Sequence, residues 1–224
     1  MFRQWQRIMS LLLNKPHSSS QIKVYQVTKP QDIKKICHLV SAAQVEGVFQ
    51  RTKAEYTQAA KNGLLFAAKH TNTKKIIATA SCFKLDQQGN YFETGGCYVA
   101  PEFRGLSLQK ALLTARIIKT IELYGLEATI ATGIAPSNTV SGKNVFKLGF
   151  ERYEKRAQIY FNDCKRCNCQ LSEQQRCGYV YYRMPLAAKM ELIESFAQTT
   201  CNPDWHFCQN IHDATRNIPI LVLV

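Results

Sequence analysis

The stretch from Tyr91 to Tyr124 constrains this chain more than any other, because its pattern changes period in the middle. Tyr91 to Val99 carries aromatic and β-branched residues and reads as a strand, interrupted at Gly95 and Gly96. Pro101 ends any ladder there, since it has no backbone N–H to give. Beyond it, Leu108, Leu112, Ala115, Ile117, Ile118 and Ile121 recur at three- and four-residue spacing, which predicts a helix. The loop between, Arg104-Gly105-Leu106-Ser107, delivers the chain to that helix's N-terminus. Unpaired backbone N–H groups converge there, the helix dipole adds partial positive charge, and Arg104 adds a full one. Such a place suits a phosphate or pyrophosphate. An ordinary strand-to-helix connection with a solvated Arg is the plainer alternative.

The flanks supply more elements. Gln21 to Val27 alternates like a strand. Pro30-Gln-Asp32 is a helix-start signal, followed by an apolar stripe of Ile33, Ile36, Cys37, Val40 and Ala43. Thr52 to Lys61 reads as a short helix stopped by Gly63. Leu64 to Lys69, Lys75 to Leu85 and Tyr91 to Ala100 read as strands joined by turn-forming segments, hence an antiparallel meander. After the central helix come a strand at Glu127 to Ile134 and a helix at Thr139 to Lys147. Ser137 and Asn138 are good caps for that helix, and Gly149 closes it. Phe150 to Phe161 and Gly178 to Pro185 read as two last strands, and Leu186 to Phe196 as a helix. The expected class is α/β (α+β): a mixed sheet of about seven strands, half antiparallel and half parallel, flanked by helices.

At 224 residues and 46% hydrophobic, the chain can bury a real core and is not a disordered segment. Its net charge of +13 suits an anionic partner such as nucleic acid, a membrane surface, acidic protein or a phosphate-rich cofactor. The basic residues are spread along the chain, which disfavours nucleic acid. Residues 1–20 form an arm with Phe2, Trp5, Ile8, Met9 and Leu12 on one side of a helix that could lie on an acidic membrane surface or pack on the domain. No cleavable secretory leader is visible, so a reducing, cytoplasmic setting is expected, with thiols or metal ligands before disulfides. Residues 187–224 are a C-terminal extension. Its apolar end, Ile218 to Val224, is too short to cross a bilayer and could be an added strand, a homodimer contact or a pocket wall.

Two motifs in the middle of the chain resemble the GNAT superfamily of acyl-coenzyme A N-acyltransferases, over roughly residues 21–186. Val99-Ala-Pro-Glu-Phe-Arg-Gly-Leu-Ser-Leu-Gln-Lys-Ala-Leu-Leu is similar to that family's pyrophosphate loop. Asn138-Thr-Val-Ser141, followed by Phe146-Lys-Leu-Gly-Phe150, resembles its later helix and closing corner. The resemblance implies transfer of an acetyl or other acyl group from acyl-coenzyme A to an amine of a small molecule or protein. It implies cofactor contacts at Val99, Arg104, Gly105, Leu106, Ser107, Leu108, Gln109 and Lys110, and at the pantetheine arm through Asn138. The chain departs from the pattern at three places. Ser107 and Gln109 stand where the family favours small glycine-type residues, and Val145 stands where many relatives place the tyrosine that protonates the leaving thiolate.

Acyl transfer needs a deprotonated amine, a thioester held beside it and a stabilised oxyanion. Glu93 is the candidate base, directly or through water, or else a solvated strand carboxylate. Tyr98 is expected to line the acceptor site or simply to pack. A backbone N–H near Tyr98 or Val99 would stabilise the oxyanion. With Val145 in the usual position, Ser141, Tyr153 or water is left to donate the proton; otherwise the chain is a cofactor-binding regulatory module with weak or no turnover. A basic binder of nucleic acid or membrane is the third reading. Separately, Cys164, Cys167, Cys169 and Cys177, in an insertion spanning 162–178, can surround one tetrahedral zinc at about 2.3 Å per sulfur. Free thiols or a redox pair are the alternatives there.

Overall fold

In a computed structural model, residues 22–43, 51–70, 72–85, 90–153 and 180–199 are described. Seven strands form one sheet: β1 (Ile22–Gln26), β2 (Leu65–His70), β3 (Ile76–Lys84), β4 (Tyr91–Val99), β5 (Thr129–Ile134), β6 (Glu151–Arg152) and β7 (Val180–Arg183). The spatial order is β1-β2-β3-β4-β5-β7-β6. Five helices accompany them: α1 (Pro30–Ala42), α2 (Lys53–Lys61), α3 (Leu108–Tyr124), α4 (Thr139–Lys147) and α5 (Leu186–Thr199). The mixed α/β architecture matches the expectation, but the balance of directions does not. Only β4 and β5 run parallel; every other neighbouring pair is antiparallel. Only the β4–α3–β5 connection returns a strand alongside its predecessor in the same direction.

Period-two patterning divides the sheet's first half between two helical layers. Along β2, Leu65 and Ala67 face α1 and α2, where Ile33, Ile36, Val40 and Tyr56 are buried. Phe66 and Ala68 face the other way, onto Leu108 and Leu112 of α3. Past β4, a third cluster joins Ile117 and Ile121 of α3 to Ile130, Val145, Phe150, Met184 and Leu192. α3 is therefore covered nearly all round and even buries Arg116 and Lys119. Short-range chemistry fixes the helix starts. Thr52 and Glu55 form a reciprocal capping box for α2, and the Asn138 side chain accepts from the Ser141 N–H to start α4. Lys189 of α5 is buried, and its Nζ donates to the carbonyls of Leu126 and Ala128 at 2.6 Å each, pinning α5 to the entry of β5.

The sixth strand expected over Phe150 to Phe161 is seen as Glu151–Arg152, and its remainder lies outside the described residues. The arm (1–20), the cysteine insertion with its Cys164, Cys167, Cys169 and Cys177 zinc set, and the segment after Thr199 also lie outside them. Among the described residues no helix is long and apolar enough to cross a membrane, and no group of three or more side chains could hold a metal ion.

Candidate active site

The site begins where the sheet divides. β4 and β5 pair over three positions only, Tyr91 to Glu93 against Thr129 to Ala131. Two side-chain bonds extend the junction: Thr132 Oγ1 donates to the Thr94 carbonyl at 2.9 Å, and Thr94 Oγ1 to the Ala131 carbonyl at 3.4 Å. Beyond them the ladder stops and the remainder of β4 has no β5 neighbour, while β7 pairs along the opposite edge of β5. The result is a wedge with β4 backbone along one side.

A bulge in β4 shapes that side. Thr79 pairs with Tyr98 and Ser81 with Gly95, so Ala80 stands opposite two residues, Gly96 and Cys97. Gly96 has φ +56°, a left-handed conformation that its lack of a Cβ permits. Arg116 braces the bulge from the α3 side. Its Nη1 donates to the carbonyls of Ser81 (2.8 Å) and Gly95 (3.0 Å), and its Nε to Leu112 (3.1 Å). Past the bulge, the Ala100 N–H donates to the Ile77 carbonyl. Alternation along an antiparallel pair then turns the Tyr98 N–H toward β3 and the Val99 N–H away from it, into the wedge. Of the Tyr98 and Val99 amides, that of Val99 faces the wedge.

At the end of β4 the chain makes a 3₁₀ turn, Pro101–Phe103, and enters α3 through the expected loop. Arg104 Nε donates back to the Val99 carbonyl at 3.2 Å. Gly105 (φ +82°) and Ser107 (φ +58°) both take positive φ, so the conformation that suits glycine is kept at position 107 although a serine occupies it. Leu106 is half-buried and Leu108 is buried against the sheet; both side chains pack, leaving only their backbone to a ligand. No acidic residue lies in the first turn of α3, and Lys110 stands there, where a helix dipole disfavours a cation. Burial, and then the neighbouring Lys147 charge from α4, push the Lys110 ammonium below the usual lysine range. Two cations and a positive helix end are thus gathered without an acid in the helix's first turn, an arrangement that suits an anion.

The remaining residues divide between the two sides of β4. Gln109 links α3 to α4: its Nε2 donates to Ser141 Oγ (2.6 Å), and its Oε1 accepts from Asn144 Nδ2 (2.7 Å). Ser141 Oγ therefore accepts from α3 and keeps its own O–H to donate. Asn138 caps α4, and Val145 is buried in the core. On the α1/α2 side, Glu93 is paired with Arg51, which also bridges Glu55 (3.1 Å) and lies 4.2 Å over the Phe83 ring. The second oxygen of Glu93 lies beside Gly95. Tyr98 packs partly buried on the same side. Tyr56 of α2 is 1% exposed and stands edge-on to Phe83, with its hydroxyl toward Gly96. Burial, and then the neighbouring Cys37, push its phenol above the usual tyrosine range, so it is a proton donor at neutral pH.

The structure thus brings Glu93, Tyr98 and Val99 together at the bulge and gathers Arg104 to Lys110 at one helix end. Ser141 and Asn138 sit across from that end on α4. Sequence reasoning missed Arg51, Tyr56, Arg116, Asn144 and Lys147. Arg116 alone carried a signal, as a charge on an otherwise apolar helix face.

The family comparison gives this divided sheet and basic helix end their class, the acyl-coenzyme A-dependent acetyltransferases. The model of the acetyltransferase (GNAT) family matches residues 33–150, more than half the chain, and the chain belongs to that family. A search by sequence among curated proteins found no match. Among solved structures, yncA of Salmonella typhimurium with its cofactor acetyl-CoA aligns at 15% identity and a TM-score of 0.57, over 74% of this chain and 94% of that one. Diaminobutyrate acetyltransferase EctA from Paenibacillus lautus, in complex with L-2,4-diaminobutyric acid and coenzyme A, aligns at 13% identity and a TM-score of 0.52, over 74% and 96%. A GNAT-family acetyltransferase from Staphylococcus aureus aligns at 14% and 0.52, over 74% and 99%. At these identities the likeness is one of fold.

Proposed function

We propose that this chain moves an acetyl group from acetyl-coenzyme A to a primary amine, with the β4–β5 wedge holding the thioester. The observation that carries this reading is the Val99 amide aimed into the wedge beside the helix end at Arg104 to Lys110. The pyrophosphate would lie on the amides after Arg104, with Lys110 and Lys147 offsetting its charge, and Asn138 would meet the pantetheine arm. Glu93, held by Arg51, would take a proton from the incoming ammonium, directly or through water. The amine nitrogen then attacks the thioester carbon, the C–S bond breaks, and the proton that the nitrogen sheds passes through water to the thiolate, which leaves as free thiol. The residues around Glu93 carry both charge signs and leave the amine's identity open to a small molecule or a protein.

The test is calorimetric titration with coenzyme A, followed by an amine-library assay that reads release of free thiol. Binding weakened about tenfold or more in Arg104→Ala, with thiol release lost in Glu93→Gln, supports the reading; no binding to the wild-type protein overturns it. A second reading, a cofactor-binding module without turnover, draws on Val145, which is buried and has no hydroxyl. Binding with no thiol release from any amine would favour it. A structural zinc at Cys164, Cys167, Cys169 and Cys177 remains part of the proposal, and metal analysis of the purified protein tests it.

A further inference from the structure

We propose that Tyr56 is a further catalytic residue, whose hydroxyl donates a hydrogen bond to the acyl oxygen of the bound thioester as that oxygen becomes an oxyanion. This rests on the acetyl-transfer reading above. Three observations lead to it. First, the Tyr56 hydroxyl is buried and has no hydrogen-bond partner among the described residues. A buried hydroxyl without a partner costs free energy and calls for a reason. Second, that hydroxyl is aimed at the bulge: a Cβ built on Gly96 would meet its oxygen at 3.2 Å. Gly96 is one of the two bulge residues, and the same Cβ would meet the Phe83 ring at 3.5 Å, so the hydroxyl stands between that ring and the bulge backbone. Third, the β4 backbone just beyond the bulge is the part that has no β5 neighbour, where a thioester would enter.

The chemistry selects the atom. The phenol stays protonated at neutral pH, so it offers a hydrogen. The attacking amine needs its lone pair for the carbonyl carbon and cannot also accept from Tyr56. The Tyr56 hydroxyl makes no hydrogen bond to Glu93 among the described residues. The acyl oxygen, by contrast, gains negative charge during attack and takes hydrogen bonds from fixed donors. The Tyr56 hydroxyl would approach it from the α2 layer, and the β4 backbone from the plane of the sheet. No proton is transferred in this step. The hydroxyl donates and remains a phenol, while the C–S bond breaks and the thiolate is protonated as above.

The test needs no knowledge of the amine. Wild type and Tyr56→Phe are titrated with coenzyme A and with S-acetonyl-coenzyme A, a stable ketone that keeps the carbonyl but cannot transfer it. The expected result is that wild type prefers the ketone about fivefold, the size of one hydrogen bond, and that Tyr56→Phe loses this preference while its affinity for coenzyme A is unchanged. Melting temperature should not fall, because no bond inside the protein is removed. An equal ketone preference in both proteins overturns the proposal, and so does a marked fall in melting temperature, which would show a structural hydroxyl. If neither protein binds coenzyme A, the acetyl-transfer reading itself fails and this inference falls with it. Intact coenzyme A binding with an unaltered ketone preference removes Tyr56 alone.

Discussion

Ser107 occupies a backbone conformation that serine does not favour, and replacing it with glycine has a calculable outcome. Its φ of 58° and ψ of 18° are left-handed, which costs an L-residue about 1–2 kcal/mol. Glycine escapes that cost but gives back about 0.5–1 kcal/mol through its freer unfolded chain. Serine at a helix cap would normally add a side-chain bond, but here its hydroxyl makes none, so nothing more is subtracted. Ser107→Gly should therefore stabilise the protein by about 0.5–1 kcal/mol. For a chain of this size that is a rise in Tm of about 1–4 °C. Ser107→Ala is the control: it keeps the left-handed strain and should leave Tm within about 1 °C. Differential scanning fluorimetry without ligand reads both. A lower Tm for Ser107→Gly, or an equal rise in the two variants, would refute the argument from backbone conformation. Coenzyme A affinity in Ser107→Gly should be maintained or improved, since the amide stays and a side chain beside the phosphates is gone.

Gly149→Ala should be severely destabilising, because a Cβ there would lie 2.7 Å from the Ala188 Cβ and φ is +83°; strain and overpacking together suggest about 2–4 kcal/mol, read as a drop in Tm of roughly 5–15 °C. Arg116→Met leaves the Ser81 and Gly95 carbonyls without their donor and should cost about 2–4 kcal/mol by urea unfolding, with Arg116→Lys recovering part of it. The Lys110 ammonium lies below its ordinary range in the free protein, and a bound pyrophosphate would raise it again. Binding then takes up a proton, so coenzyme A affinity should fall as pH rises through the free Lys110 value, and titration of Lys110→Gln should flatten that dependence.

What the sequence disclosed and what it withheld divide along contact range. The strand–loop–helix passage from Tyr91 to Tyr124 was legible because its signals are local: alternation, a proline stop and a three-to-four spacing. The cap at Asn138 was legible for the same reason. The pairing of Arg51 with Glu93 joins residues 42 apart, and no periodicity encodes it. Tyr56 lay in a segment read only as a short helix; its role depends on a bulge in a strand that meets it in space alone. Arg116 is misread by any rule that sends charges to solvent, because its partners are backbone carbonyls on two strands. Sheet direction was overestimated toward parallel, since a helix between two strands does not by itself show which strands pair.

The three-position ladder between β4 and β5 also has a consequence for stability within the molecule. β1 to β4 and β5 to β7 are two leaves of unequal size, sewn by a few hydrogen bonds and by the flank of one long helix. The smaller leaf is expected to open more readily than the larger, and its amides should then exchange with deuterium sooner. A cofactor threaded between the leaves would act as a third stitch and slow that exchange, making occupancy visible in the remote amides of β7.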